Sequence, residues 1–276
     1  LPTEVRIDGE GDARTAVEIA TGKPAKIGSI EKMSKSKKNL VDPDDIIAHY
    51  GADCARWFVL SDSPPERDVI WTEAGVAGAG RFIQRIWRLV DQVADRTKGI
   101  DVCSPAPKDL DADALALRRV THKTLDAVGS TIEGLRFNVG VAQIYTLANA
   151  VQDMAGKPAG PGRDWALREA TDILVKLIAP MMPHLAEECG ARLGYNTLVA
   201  ETPWPKVDAA LLVDDTVVLP VQVNGKRRDE ITVPKAATEA EIEAIVRKLD
   251  AVAKAADGKP IKKIIVVPQR IVNVVV

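Results

Sequence analysis

Over the first thirty residues, short apolar runs alternate with turns. "TEVRI", "TAVEIA" and "PAKIGSI" are separated by "DGEGD" and "TGKP", a pattern that predicts two or three short strands. The period then lengthens. In "DPDDIIAHYGADCARWFVLSD", Asp42 is placed to cap a helix and Pro43 to occupy its first position. Gly51 is expected to end that helix, and a second one to carry Ala55, Phe58 and Val59 inward. A longer helix is expected from about Thr72, because Phe82, Ile86, Val90 and Val93 recur at helical spacing. Further helices are predicted over about 112–128, over "NVGVAQIYTLANAVQDM" with Val141, Ile144, Tyr145 and Ala148 on one side, from "DWALREA" to about Ile178, and after Pro183. The connectors "KGIDVCSPAPKD" and "GKPAGPG" are short enough for these helices to pack as antiparallel neighbours in a bundle.

Near Thr216 the pattern changes again. Two β-like runs flank Asn224-Gly225, the strongest short signal for a hairpin. Thr238 followed by Glu241 completes a capping box for a helix, and "IKKIIVVPQ" and "IVNVVV" close the chain as strands. The expected fold class is mainly α with α+β. A β stem remnant with a lysine loop occupies 1–40 and a helical stem-contact region 41–72. An antiparallel helix bundle follows over 73–212, and a small basic α+β domain over 216–276, with the boundary near 208–215.

Charge sharpens this division. The 276 residues carry a net charge of -2, which does not by itself mark a nucleic-acid binder. From Thr216 onward, however, eleven Lys or Arg face seven Asp or Glu, leaving the tail at +4 and the remainder at -6. A basic module on an acidic body points to an anionic partner for the tail. Cys54, Cys103 and Cys189 are odd in number and never form a C-x-x-C pair, which argues against a disulfide framework or a cysteine zinc site and fits a reducing cytosol. No apolar run approaches membrane-spanning length and no signal-peptide pattern opens the chain. It starts with Leu1 rather than Met, and a piece of a longer protein is the expectation.

Few motifs carry chemistry. "TGK" at 21–23 lacks the earlier glycine of a phosphate-binding P-loop and runs into Pro24. His49, His122 and His184 lack partners at metal-ligand spacing, so no metal site is expected. Trp57, Trp71, Trp87, Trp165 and Trp204 lie on or beside apolar faces and read as core. The exception is "IEKMSKSKKN", with four lysines and two serines in ten residues. Ammonium groups this close repel one another. One reading is a solvated basic turn; the other is a strand-to-helix loop whose hydroxyls, amides and lysines grip phosphate.

The stretch 32–36, K-M-S-K-S, resembles the second signature of class I aminoacyl-tRNA synthetases, here extended to "EKMSKSKKN" and followed by "DPDDIIAHYGADCARWFVL". "RFNVGVAQIYTL" and "LIAPMMPHLAEE" resemble the helical anticodon-binding domain shared by leucyl, isoleucyl and valyl enzymes. "SPPERDVIW" and "VQVNGKRRDEITVP" are similar to the leucyl branch, bacterial type. The resemblance covers nearly everything beyond residue 25 and implies a C-terminal fragment of such an enzyme. The family's first signature, of the form H-I-G-H, does not occur in the sequence.

What the resemblance implies is specific. The whole enzyme activates leucine with ATP, taken with Mg2+, and esterifies it to tRNA(Leu) in the cytoplasm, away from any membrane. The ATP-binding loop comprises Lys32, Met33, Ser34, Lys35 and Ser36. Lys35 stabilises pyrophosphate charge, Lys32 assists, and the two serines shape the loop. The fragment alone binds no ATP and is inactive. For tRNA, Arg81, Arg85 and Arg88 form a helical stripe, with ion pairing to acidic helices as the competing explanation. Lys226, Arg227, Arg228, Lys262 and Lys263 are the tail candidates, with an ordinary charged surface as theirs. An isoleucyl or valyl enzyme and a non-catalytic RNA-binding or scaffold protein are the alternatives for the whole.

Overall fold

The computed structural model describes residues 4–9, 14–29, 31–37, 39–160, 162–213, 216–256, 260–268 and 270–276. Leu1, part of the "DGEGD" turn, Ile30 and Lys38 of the lysine stretch, Pro161, Asp214, Asp215 and Gln269 lie outside the described residues. The expected class is what is found: long helices with two small sheets. The chain divides into two compact units. One comprises Leu1–Asp95, Thr131–Ala142 and Val175–Thr202; the other comprises Arg96–Ser130, Gln143–Leu174 and Pro203–Val276.

In the first unit, β1 (Val5–Asp8), β2 (Thr15–Glu18) and β3 (Pro24–Ala25) make an antiparallel sheet in that order. After the lysine loop, α1 (Pro43–Tyr50) opens as its sequence dictates: the Asp42 side chain accepts the Asp44 N–H at 3.0 Å. Gly51, at φ +85°, ends α1 and begins α2 (Ala52–Asp62) without an intervening loop. That backbone angle favours glycine, which lacks a Cβ to clash. The inward face of α2 is Cys54, Trp57 and Phe58, whereas Val59 is 47% exposed and Ala55 only half-buried. The sequence expectation for that face is therefore rotated by about one residue. Trp57 wins the interior because it stacks on Phe82 of α3 (Glu73–Arg96), with ring centroids 4.9 Å apart, while Phe58 meets Trp71 edge-on. Along α3 the predicted stripe Phe82, Ile86, Val90 and Val93 is buried. Its far edge is held by Arg192 of α7 (Pro183–Leu193), which reaches Asp91 at 2.6 Å and Asp95 at 2.5 Å.

The second unit takes most of α4 (Ala112–Glu133), α5 (Phe137–Ala155) and α6 (Arg163–Ile178). Helix α4 runs five residues past its expected end at Val128; nothing between 128 and 133 breaks it, since Gly129 is tolerated inside a packed helix. Ion pairs tie the connectors down. Arg163 binds Asp111 at 2.7 Å and Asp113 at 2.8 Å, and Arg96 binds Asp164 and the carbonyls of Met154, Ala155 and Lys157. Asp113 itself sits below the usual carboxylate range, chiefly through the Lys157 hydrogen bond.

His122 is buried between Glu169 and the Asp208 backbone. The Asp208 N–H donates to Nδ1 at 3.0 Å, so this nitrogen carries a lone pair and Nε2 faces Glu169 at 3.4 Å. Arg118 holds the same carboxylate with two contacts, at 2.7 and 3.0 Å, and lies over Trp165. Burial pushes the Glu169 carboxyl up, but hydrogen bonds from His122 and Arg118 bring it below its ordinary value. The bonds fix segment 203–211 to α4 and α6. Among the predicted core tryptophans, Trp57 is fully buried, but Trp204 in this segment is 43% exposed.

The tail of this unit is a four-stranded sheet in the order β5 (Lys226–Pro234), β4 (Thr216–Val223), β7 (Ile271–Val275), β6 (Lys263–Val267). Only β4 and β7 run parallel. Leu219, Val221 and Val223 on β4, Ile231 and Val233 on β5, and Val272 and Val274 on β7 alternate inward. Helix α8 (Glu239–Val246) covers this face with Ile242 and Val246. Its capping box is formed as predicted, and the amide and hydroxyl of Thr238 hold the Glu241 carboxyl below its usual range. A short α9 (Asp250–Ala256), absent from the expectation, adds Val252 to the core. Among the described residues no helix is long and apolar enough to cross a membrane.

Candidate phosphate loop and nucleic acid surfaces

The lysine loop is an exposed turn closed on itself. The Lys37 N–H donates to the Ser34 carbonyl at 3.2 Å, and the Ser34 and Ser36 hydroxyls stand 3.3 Å apart. Asn39 bridges the base of the turn. Its Oδ1 accepts the Ser34 N–H at 2.8 Å, and its Nδ2 makes a longer 3.4 Å contact to the Lys32 carbonyl. The lysines are not equivalent. Lys37 is neutralised by Glu31 at 2.7 Å, whereas Lys32 and Lys35 are exposed and their ammonium groups have no ion-pair or hydrogen-bond partner among the described residues. Among the described residues the arrangement thus leaves two uncompensated ammonium groups in the same turn as two hydroxyls, a donor set that suits an anionic oxygen. Met33, at 39% exposed, is not a core residue.

Behind the loop lies a cavity of about 420 Å³ lined by Asn39, Leu40, Asp42, Tyr50 and Trp71 among others. The platform beneath is braced by residues that sequence reasoning missed. Asp53, 7% exposed, accepts the Leu185 N–H at 2.7 Å and faces His184 Nδ1 at 2.9 Å. It serves as the N-cap that Met182 does not supply to α7. Arg56, one turn later, donates to the carbonyls of Met181 at 3.0 Å and Pro180 at 2.7 Å. These contacts join "GADCARW" to "APMMPHL" across more than 120 positions of sequence. No local pattern announces them, because apart from the His184 ring each partner is a backbone group that any residue could supply.

The arginine stripe lies along α3. The side chains of Arg81 and Arg88 are exposed and make no ion pair or hydrogen bond among the described residues. Arg85 is half-buried. In the tail, Asn224 and Gly225 both take positive φ (48° and 80°), as a tight hairpin turn requires. Lys226, Arg227 and Arg228 follow on an edge strand. Arg227 is paired with Glu230 at 2.6 Å, while the side chains of Lys226 and Arg228 have no ion-pair or hydrogen-bond partner among the described residues. Lys262 and Lys263 are exposed at the other edge. Register places them at the same end of the sheet: Lys226 pairs with Val223, Val223 with Val274, and Val274's neighbour Val275 with Lys263. Three strand spacings put the two basic clusters roughly 14 Å apart.

Two of the three cysteines, Cys54 and Cys189, are buried. Burial, with Glu188 nearby, pushes the Cys189 thiol up to about 12, and burial also raises that of Cys54. A nucleophile needs the thiolate, which these sites disfavour.

Comparison with known proteins converges on one group. Residues 28–72 match the family described as tRNA synthetases class I (I, L, M and V), and residues 115–245 match the anticodon-binding domain of tRNA ligase. The chain is 55% identical to a leucine--tRNA ligase of Bradyrhizobium sp. (strain ORS 278) and 56% identical to one of Rhodopseudomonas palustris (strain TIE-1). In both cases 99% of this chain and 31% of the relative are aligned, so the chain spans about a third of those relatives' length. A crystal structure of the Agrobacterium radiobacter K84 agnB2 LeuRS, in a ternary complex with tRNA and LeuAMS, matches with a TM-score of 0.69 at 30% identity. That match covers 88% of this chain and 30% of the other. The lysine loop and the helices after it thus lie within regions matched at the level of sequence and of fold, and over about a third of their length leucine--tRNA ligases are what this chain is similar to.

Proposed function

We propose that this chain is the C-terminal part of a bacterial-type, cytoplasmic leucine--tRNA ligase. It supplies the phosphate loop of the leucine-activating site and the surfaces that hold tRNA(Leu). The observation that carries the reading is identity above half over practically the whole chain with leucine--tRNA ligases, to which the two uncompensated loop lysines give a chemical basis. The domains follow the division 1–40, 41–72, 73–212 and 216–276.

In the first half-reaction a leucine carboxylate oxygen bonds to the α-phosphorus of ATP, which enters with Mg2+. The bond from that phosphorus to the bridging oxygen breaks, and pyrophosphate leaves with the electron pair. Negative charge grows on the departing phosphates. Lys35 meets it with a fixed positive charge, Lys32 assists, and Ser34 and Ser36 with Met33 hold the loop's shape. In the second half-reaction a ribose hydroxyl of the tRNA attacks the activated carbonyl and AMP departs. Arg81, Arg85 and Arg88 meet the tRNA backbone, as do Lys226, Arg227, Arg228, Lys262 and Lys263 at the basic end of the tail sheet. Such contacts act through phosphate charge and carry no base readout.

The reading is tested by charging assays on the full-length enzyme with leucine, isoleucine and valine, alongside the 276-residue chain alone. Leucine alone is expected to be transferred, and the isolated chain to support no leucine-dependent pyrophosphate exchange, since its sequence contains no H-I-G-H signature. Transfer of isoleucine or valine in preference to leucine would overturn the assignment.

A further inference from the structure

We infer that Asn39 is a positioning residue for leucine activation, acting as a two-ended clip that sets the directions in which Lys32 and Lys35 point. The inference rests on the phosphate role proposed for the loop. Its basis is the geometry at the base of the turn. One end of the Asn39 amide accepts the Ser34 N–H at 2.8 Å, and the other lies 3.4 Å from the Lys32 carbonyl. The two contacts fix the orientation of the amide, because reversing it would set NH2 against N–H and oxygen against carbonyl oxygen. Residues 32 and 34 are therefore held from one side chain, and Lys35 is the next residue along.

The clip is also anchored. Asn39 lies three residues before Asp42, whose carboxylate caps α1, and lines the same cavity as Tyr50 and Trp71. Exposed turns of this composition have many accessible conformations, and two hydrogen bonds to one amide remove most of them. An ammonium group acts on developing charge only when it is already in place, since its benefit disappears if it must reorganise during the reaction. Among the described residues the Lys37 N–H also closes the turn on the Ser34 carbonyl, but that bond reaches neither Lys32 nor the base of the loop. The ion pair of Lys37 with Glu31 joins two half-exposed side chains, and such pairs contribute little, so Asn39 is the stronger restraint of those two.

Asparagine is also the residue that fits both ends. Aspartate keeps the acceptor for Ser34 but sets a second oxygen against the Lys32 carbonyl and brings negative charge to a phosphate site. Alanine removes both ends.

The test is a double-mutant cycle in the full-length enzyme, read by leucine-dependent ATP–pyrophosphate exchange. Asn39→Ala is expected to lower the exchange rate by about ten- to a hundredfold, the scale of a reacting group misplaced by about an ångström. Affinity for leucine and for tRNA is expected to stay unchanged, and Asn39→Asp to be at least as slow as Asn39→Ala. In a Lys35→Ala background, Asn39→Ala should cost less than in the native enzyme, because the main one of the two groups it positions is gone and only Lys32 remains. Native exchange rates in Asn39→Ala, or a full and additive loss in the Lys35→Ala background, would overturn the inference. Native rates in Lys35→Ala alone would instead remove the phosphate reading on which it stands.

Discussion

Lys35→Ala in the full-length enzyme is expected to slow leucine activation by about 10²- to 10³-fold, equivalent to about 3–4 kcal/mol of barrier, while tRNA affinity holds. The estimate is that of a preorganised donor facing charge that develops in the transition state. Three features of the loop support assigning this role to Lys35. It is exposed, it has no counter-ion among the described residues, and it follows a backbone position pinned by Asn39. Lys37 fails the second criterion because Glu31 already holds it at 2.7 Å. Lys37→Ala should accordingly be mild where Lys35→Ala is severe. Lys35→Arg tests geometry apart from charge: a guanidinium keeps the charge but is planar and bulkier, so only partial activity is expected. Pyrophosphate exchange measures the first effect and filter binding of tRNA the second. A loss of tRNA affinity with exchange intact would place Lys35 on the nucleic-acid surface instead.

The second large effect is on stability. Asp53→Ala is expected to destabilise the first unit by about 2–4 kcal/mol, the combined cost of losing a hydrogen bond to a charged group and leaving a buried amide unsatisfied. The amide is that of Leu185 in the first turn of α7, and Asp53 is its cap. His184→Ala removes the other partner, but the His184 side chain is 77% exposed, so water replaces the contact and little is lost. Hydrogen exchange at the start of α7, with chemical denaturation alongside, separates the two variants. Equal protection of the Leu185 amide in Asp53→Ala and the native protein would show that the cap is dispensable. The functional consequence follows from the same contacts. Asp53 and Arg56 fasten α2 to the turn before α7, and α2 is continuous through Gly51 with the helix that the lysine loop feeds. Loosening the brace is expected to loosen the loop's support.

The sequence was most informative where a local rule governs structure. The Asp42 cap, the break at Gly51, the Phe82 stripe, the Asn224-Gly225 turn and the Thr238 capping box each depend on residues within one or two turns of one another. Their physical causes are visible in a short window. The buried face of α2 was misjudged by one position because Trp57 is drawn in by Phe82, a partner twenty-five residues away. Helix α9 was missed because the chain tightens at 247–249 between two short helices, and Val252 gains its burial from the sheet rather than from a long periodic run. Polar contacts over long separations were illegible altogether. Asp53 reads as an ordinary acidic residue in a first helical turn, and His122 as a lone histidine, until Leu185, Glu169 and the Asp208 amide are seen beside them.

The loop occupies an intermediate position. Its lysines and serines declared themselves by composition and by family resemblance, but which lysine stands uncompensated depended on Glu31, and what orders the turn depended on Asn39. Both residues lie inside the same short stretch. Their importance comes from how the chain folds back on itself, not from residue type.

The claim on which the account rests is that the loop 32–36 grips the phosphates of ATP. It is tested most directly by affinity labelling of the full-length enzyme with an ATP analogue carrying an aldehyde on its terminal phosphate, followed by borohydride reduction and peptide mapping. Attachment is predicted at Lys35 or Lys32 and is expected to vanish in excess ATP. Labelling that ATP suppresses equally well, but that falls entirely on lysines outside this stretch, would contradict it.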